Sequence, residues 1–412
     1  MKLQVLLLAI TLTASLIGCT QEPPEPQLND TDWSQNDVNT LVQANNRFAF
    51  DLYSKYKEDE GNLFFSPYSI STALAMTYEG ARGQTAKEMR EVFYYPENSS
   101  LMRSSFSKIH NDMNRENNEY ELSTANALWA EQEYKFLDEY FQTVENYYGG
   151  KVTNMDFRNK PEEARVTINN WVEEKTKEKI KDLIPQGAID PMTRLVLTNA
   201  IYFKGTWVLE FDEELTKKED FQTPSGTVQA DMMRNTGEKA EFNYAETNSL
   251  QILEMPYEGE NVSMLILLPK GDINSLEESL TTKKLEEWKK SLEEQRVKVY
   301  LPKFETETKY FMAKDLEEMG MPSAFGGGAD FSGMDGTKLL YISEVIHQAY
   351  VKVDEEGTEA AAATAVIMKE MAAPGPRPEI PVFRADHPFI FIIQQKDTGN
   401  ILFMGKINDP TK

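Results

Sequence analysis

The chain has 412 residues, and 67 acidic against 43 basic side chains give it a formal charge of −24. At 40% hydrophobic and 11% aromatic it can fill a large core, which excludes disordered and collagen-like classes. The acidic balance argues against nucleic acid, whose non-specific capture needs Lys and Arg to displace phosphate counterions. One cysteine excludes a disulfide framework, and three histidines (His110, His347, His387) without ligand spacing leave no expected metal site or cofactor.

Met1 and Lys2 precede a largely apolar run, Leu3 to Gly18, followed by Cys19. One positive charge and a short apolar core fit an export signal over residues 1–18 better than a retained spanning helix. The junction Leu16-Ile17-Gly18-Cys19 resembles the bacterial lipobox. That resemblance implies a diacylglyceryl group on Cys19, whose buried methylenes hold an exported body to a bilayer; the alternative is an incidental cysteine. Thr20 to Asp32 is polar and broken by Pro23, Pro24 and Pro26, so residues 19–32 read as a flexible tether.

From Trp33 no linker interrupts the chain until after Ala372, so residues 33–412 read as one domain. Thr85 and Glu88 suggest a capping box opening a helix through Phe93. Ala164, Ile168, Trp171, Val172, Ile180, Leu183 and Ile184 predict one helical face ending at Pro185. Strands are predicted at 195–203, 262–268, 297–301, 389–394 and 400–406, the last two as a hairpin around Lys396-Asp397-Thr398-Gly399. Helices first and strands later point to an α+β fold.

No G-x-S-x-G elbow, H-E-x-x-H, P-loop or dinucleotide fingerprint is present, and Gly326-Gly327-Gly328 has no Lys-Ser/Thr behind it. A Ser-His-Asp triad is defined by geometry and stays open. The most informative stretch is Glu355 to Pro388. By propensity, Thr358 to Ala373 could be a helix, since alanine is the best helix former. Such a helix would have no charged face over residues 360–368. Small residues also suit a strand that must slide between two others.

Five segments in order carry a resemblance to the serpin family over nearly the whole body: Asn62-Leu63-Phe64-Phe65-Ser66-Pro67-Tyr68-Ser69-Ile70, the stretch from Thr198 to Trp207, the stretch from Ile342 to Ala349, Asp386-His387-Pro388-Phe389, and Phe403-Met404-Gly405-Lys406-Ile407. The resemblance implies one large domain with three β-sheets, surrounding helices and an exposed reactive-centre loop within 355–387. It implies an inhibitor, not an enzyme. A serine or cysteine protease would attack the loop, form an acyl-enzyme, and be trapped in a covalent 1:1 complex as the cut loop enters the central sheet.

Residue roles follow from the same resemblance. The hinge comprises Glu355, Gly357, Thr358, Glu359, Ala360, Ala361, Ala362 and Ala363, with Gly357 supplying backbone freedom. Thr358, Ala360, Ala362, Thr364 and Val366 would face inward after insertion. Ser66, Ser69, Asn199 and His347 would form a buried shutter, Trp207 would lie under the breach, and Lys303 would pair with Glu355. Counting from the hinge glycine puts the reactive bond at Met371-Ala372, suited to elastase-, chymotrypsin- or subtilisin-like proteases; counting back from Pro388 points toward Arg377, and Lys369-Glu370 would suit a trypsin-like one. Arg377 precedes Pro378, which resists proteolysis. The acidic surface argues against a heparin-type activator, and a monomer is expected. The competing functions are a non-inhibitory binding or carrier serpin and a secreted hydrolase with an unrecognised triad.

Overall fold

A computed structural model describes residues 27–115, 119–358 and 379–412. The longest helices, interleaved with the first three strands, are α1 (Gln35–Tyr56), α2 (Pro67–Gly80), α3 (Gly83–Phe93), α4 (Ser99–Met113), α5 (Asp138–Tyr148) and α6 (Pro161–Lys175). The strands, in chain order, are β1 (Leu63–Phe65), β2 (Tyr120–Glu131), β3 (Lys151–Met155), β4 (Leu195–Thr206), β5 (Lys217–Thr223), β6 (Gly226–Asn235), β7 (Glu241–Glu246), β8 (Leu250–Pro256), β9 (Val262–Pro269), β10 (Glu293–Arg296), β11 (Lys298–Pro302), β12 (Phe304–Phe311), β13 (Glu344–Val353), β14 (Gly357–Thr358), β15 (Val382–Arg384), β16 (Phe389–Gln395) and β17 (Ile401–Ile407). They form three sheets of seven, four and six strands, an α+β architecture as expected.

The six-stranded sheet runs β12-β13-β14-β4-β2-β3 and positions the site. One face packs on α2, whose residues are buried on almost every side because the helix lies between this sheet and β17 of the seven-stranded sheet. Its start is fixed by Ser66, which caps the Ser69 N–H, and by Pro67 in the first turn. On the other face α6 lays Ala164, Ile168 and Val172 over Ala125, Ala127, Trp129, Val196, Ala200 and Ile346. The predicted β16–β17 hairpin is present, shifted by one residue at its far strand, and α1 holds its turn through buried Asn45 and Asn46.

Three local expectations are revised. Thr85 and Glu88 cap nothing: α3 starts after Arg82, Thr85 Oγ1 accepts from Asp330 N–H, and Glu88 accepts from Ser323. The predicted face ending at Pro185 merges two elements. α6 stops at Lys175, and Ile180, Leu183 and Ile184 are buried from an irregular segment with Lys177, Glu178 and Asp182 at positive φ. The segment read as tether is not free to its end, since Leu28 exchanges two hydrogen bonds with the Asn111 amide and Asn29 N–H donates to Asn146 O.

Lys406 on β17 is nearly enclosed, its Nζ 3.1 Å from Glu277, whose carboxylate also accepts from Tyr53 at 2.6 Å. Removing one partner of such a pair leaves an uncompensated buried charge. Lys406→Met is therefore expected to lower unfolding stability by roughly 3–5 kcal/mol, read as a shift of the urea midpoint.

Candidate functional site

The central feature is a fork in the six-stranded sheet. From Glu344↔Val196 to Tyr350↔Tyr202, β13 and β4 pair directly and in parallel. Above that they part, and β14 lies between them, with Val353 paired to Thr358, Thr358 to Gly205 and Gly357 to Thr206. The chain turns back at Asp354–Glu356, where Asp354 N–H donates to Gly357 O. Thus Thr358, expected to face inward after insertion, is already seated together with Gly357.

A buried floor receives them. Thr358 is fully enclosed, its Oγ1 2.7 Å from the Tyr257 hydroxyl. Burial holds that phenol well above its usual pKa, so it remains protonated. The Tyr257 ring stacks on Trp207 at 4.4 Å and meets Phe203 edge-on at 5.0 Å. Trp207 in turn donates from Nε1 to Asp354 O at 3.1 Å and from its backbone to Glu356 O at 2.8 Å. A Cβ on Gly357 would collide with the Gly205 carbonyl, and one on Gly205 with the Tyr257 ring. Gly357 permits a close approach between strands here, and its φ is not positive.

Glu355 anchors the turn. Its carboxylate accepts from Lys303 Nζ at 2.6 Å and from Thr216 Oγ1 at 2.7 Å. Burial by itself would raise its pKa; the two donors outweigh it and hold the acid below the ordinary carboxylate range. The glutamate side chain is 5% exposed and the lysine 40%, so this is an interaction open to water on one side.

The shutter residues come together below the fork. Ser66 N–H donates to His347 Nε2 at 3.1 Å, which leaves Nδ1 to donate to Asn199 Oδ1 at 2.5 Å. The Asn199 amide donates to Ser69 Oγ and to Asn126 Oδ1, and Ser66 Oγ to Leu402 O. His347 and Asn199 are register partners on β13 and β4, so the cluster ties both strands to α2. Enclosure pushes the His347 pKa down to about 3, and its Nε2 faces a donor that a second ring proton would oppose. His347 has no solvent access and both nitrogens are committed, which leaves it no role as a general base.

Ser66, Ser69, Asn199, His347, Trp207, Lys303, Glu355, Gly357 and Thr358 therefore fall into two connected groups. Glu359, Ala360, Ala361, Ala362, Ala363, Lys369, Glu370, Met371, Ala372, Arg377 and Cys19 lie outside the described residues. Three participants were not anticipated: Tyr257, Thr216 and Asn126. Tyr257 precedes its partner Thr358 by 101 residues, and no spacing rule links them. Among the described residues no group of three or more His, Cys, Asp or Glu could hold a metal ion, and no helix is long and apolar enough to cross a membrane.

Two outcomes follow from this geometry. Tyr257→Phe leaves the Thr358 hydroxyl buried without its partner, at a cost of about 1–3 kcal/mol, so amide exchange at Gly357 and Thr358 is expected to accelerate severalfold or more. The unfolded chain protonates His347 near its ordinary value of about 6.5 and the folded one only near 3. Stability should fall as pH drops through that window, by up to about 1.4 kcal/mol per pH unit from this group. Urea midpoints from pH 7.5 to 4 should show that slope, and His347→Gln should flatten it.

Comparison with known proteins places this geometry in a family. The family model described as Serpin (serine protease inhibitor) matches residues 43–410. An uncharacterized serpin-like protein of Methanosarcina acetivorans is 46% identical over 90% of this chain and 86% of its own. Leukocyte elastase inhibitor of Bos taurus is 42% identical over 90% and 99%. The crystal structure of Serpin48 from Tenebrio molitor superposes with a TM-score of 0.79 at 33% identity, covering 90% of this chain and 98% of that one. The chain belongs to the serpin family.

Proposed function

We propose that the protein is an irreversible suicide inhibitor of serine proteases that works by loop insertion, with Met371-Ala372 as the reactive bond and elastase-, chymotrypsin- or subtilisin-like enzymes as targets. The observation that carries this reading is the seated hinge at the fork. Its register sets a track. Carried on from Thr358↔Gly205, it would bring Ala360 to Phe203, Ala362 to Ile201, Thr364 to Asn199 and Val366 to Leu197. All those β4 positions lie on the face where Thr358 is buried, and small side chains can pass there. Met368 would meet Leu195, where β4 begins. Met371 lies three residues beyond, so an acyl group there would be drawn to the far end of the sheet with little slack. Arg377 lies nine beyond, which leaves about 30 Å of extended chain and would transmit no pull.

The chemistry balances simply. The protease serine Oγ attacks the Met371 carbonyl, the C–N bond breaks, and Ala372 leaves as a free amine carrying the proton. Insertion then drags the Met371 ester with the protease before water can hydrolyse it. The energy comes from replacing the one parallel β4–β13 ladder with two antiparallel ladders to the entering strand and from burying its small-residue face, a gain the uncut state withholds behind a kinetic barrier. We also propose that Cys19 carries a lipid and holds an exported monomeric body to the cell envelope; palmitate labelling abolished by Cys19→Ala tests that part.

Incubation with elastase-, chymotrypsin- and subtilisin-type proteases should give an SDS-stable 1:1 adduct and a released peptide beginning at Ala372. Clean cleavage with no adduct would overturn the inhibitory reading in favour of a binding or carrier role. Thr358→Arg, which puts a charge into the enclosed hinge seat, should turn at least nine-tenths of the inhibitor into plain substrate.

A further inference from the structure

The N-terminal segment does not run free to the first helix; it is seated on the seam between α4 and α5. The Asn111 amide on α4 acts as one rung of a strand ladder. Its Oδ1 accepts from Leu28 N–H at 2.9 Å, and its Nδ2 donates to Leu28 O at 2.9 Å. The Leu28 side chain is only 6% exposed. It lies at the C-terminal end of α5, where Gly149 leaves it room: a Cβ there would stand 3.3 Å from His110 Cε1 and 3.7 Å from Leu28 Cδ1. On the α5 side, Asn29 N–H donates to Asn146 O at 2.8 Å and Asn29 Nδ2 to the Tyr147 hydroxyl at 3.3 Å. Asn29 Oδ1 accepts from Thr31 Oγ1 at 2.8 Å, and the Trp33 ring has Lys108 Nζ of α4 4.8 Å from its centre. Asn111 reads backbone, which any residue supplies; enclosure of the side chain selects an apolar residue at position 28.

We infer that Leu28 to Trp33 form a strap that sets which flank of the body faces a bilayer and how far from it the body is held. This rests on the reading that Cys19 carries a lipid. Measured from Cys19, a chain first held at Leu28 can span about 30 Å, and one first held at the start of α1 about 55 Å. The strap therefore nearly halves the reach of the anchor. It also chooses the face. Gly149 lies just before β3, whose first residue Lys151 pairs with Ala127, itself the partner of Thr198 on β4. The hinge is seated at Thr206, eight residues farther along β4, or about 26 Å. The tether thus leaves from the β3 flank of the six-stranded sheet, well away from the hinge. A taut anchor draws that flank toward the bilayer and leaves the hinge end open to an approaching protease.

Because Cys19 is the sole cysteine, the anchor can be built chemically and the test does not depend on lipidation in a cell. The exported form, residues 19–412, is compared with its Asn111→Ala and Leu28→Glu variants. In solution, amide exchange at Leu28 and Asn29 should be slow in wild type and at least tenfold faster in both variants, at an unchanged unfolding temperature. Unprotected wild-type amides, or exchange that neither variant alters, overturn the strap. So does a fall in unfolding temperature in both variants, which would make the segment part of the core. Each protein is then coupled through Cys19 to a maleimide lipid in a supported phosphatidylcholine bilayer, and neutron reflectometry gives the distance of the protein layer from the headgroups. Both variant layers should move outward by about 10–25 Å and broaden; layers at equal distance overturn the role in setting reach. Palmitate labelling of Cys19 in cells is read separately. If it fails while the coupled layers differ, the lipid reading falls and the strap stands; if it succeeds while the layers coincide, only the strap falls.

Discussion

Two strand edges, one on β4 and one on β13, can satisfy their backbone groups either with each other or with a third strand between them. In the lower sheet they choose each other. At the top a third strand, described over Gly357 and Thr358, lies between them. A backbone donor or acceptor buried without a partner costs as much as a lost hydrogen bond, so an intermediate, half-open sheet is not available. The fork must sit at one place or move in steps, each step exchanging parallel for antiparallel pairs. The remaining features of the site are ways of fixing where it rests.

Above the fork the restraints are aromatic and close-packed. Trp207, Tyr257 and Phe203 form an aromatic floor with two polar edges, the indole N–H, which donates to Asp354 O, and the tyrosine hydroxyl, whose partner is Thr358. Gly205 and Gly357 bring the strands together where any side chain would hold them apart. The Glu355–Lys303 pair adds little to overall stability, since the lysine stays hydrated. Its consequence is positional: it fixes the turn at Asp354–Glu356.

How much of this could be read from the residues alone depends on whether the cause was local. The β16–β17 hairpin and the strand predicted at 195–203 were visible because turn chemistry and apolar runs act over a few positions. The merged helix over Ala164–Ile184 shows the limit. Ile180, Leu183 and Ile184 are apolar because α6 and the sheet enclose them, and burial imposes the same residue types on irregular backbone as on a helix. Thr85 and Glu88 have capping spacing but are drawn to Asp330 and Ser323, partners over 200 residues away. Tyr257, Asn126 and Thr216 were out of reach for the same reason: their roles exist only after β2, β4 and β14 meet. The shutter, breach and hinge residues were found by family resemblance, not by pattern.

Below the fork the restraint is a polar cluster in a place where apolar packing would hold more firmly. That choice has a physical sense. A neutral imidazole donates through Nδ1 and accepts through Nε2 at once, so His347 joins β13 to Asn199 on β4 and to the Ser66 backbone on α2 without any charge to desolvate. An apolar pair at the same position would resist parting with its full buried area and offer nothing to a strand arriving between them. Hydrogen bonds are directional and transferable: the Nδ1 proton and the Asn199 oxygen can each find a new partner on an incoming chain, so little need be lost at the end of the exchange. The cluster therefore raises the barrier to opening more than it deepens either end state. For the loop insertion proposed above that distinction matters, because a deeper closed state would defeat insertion and a lower barrier would let it happen without a protease.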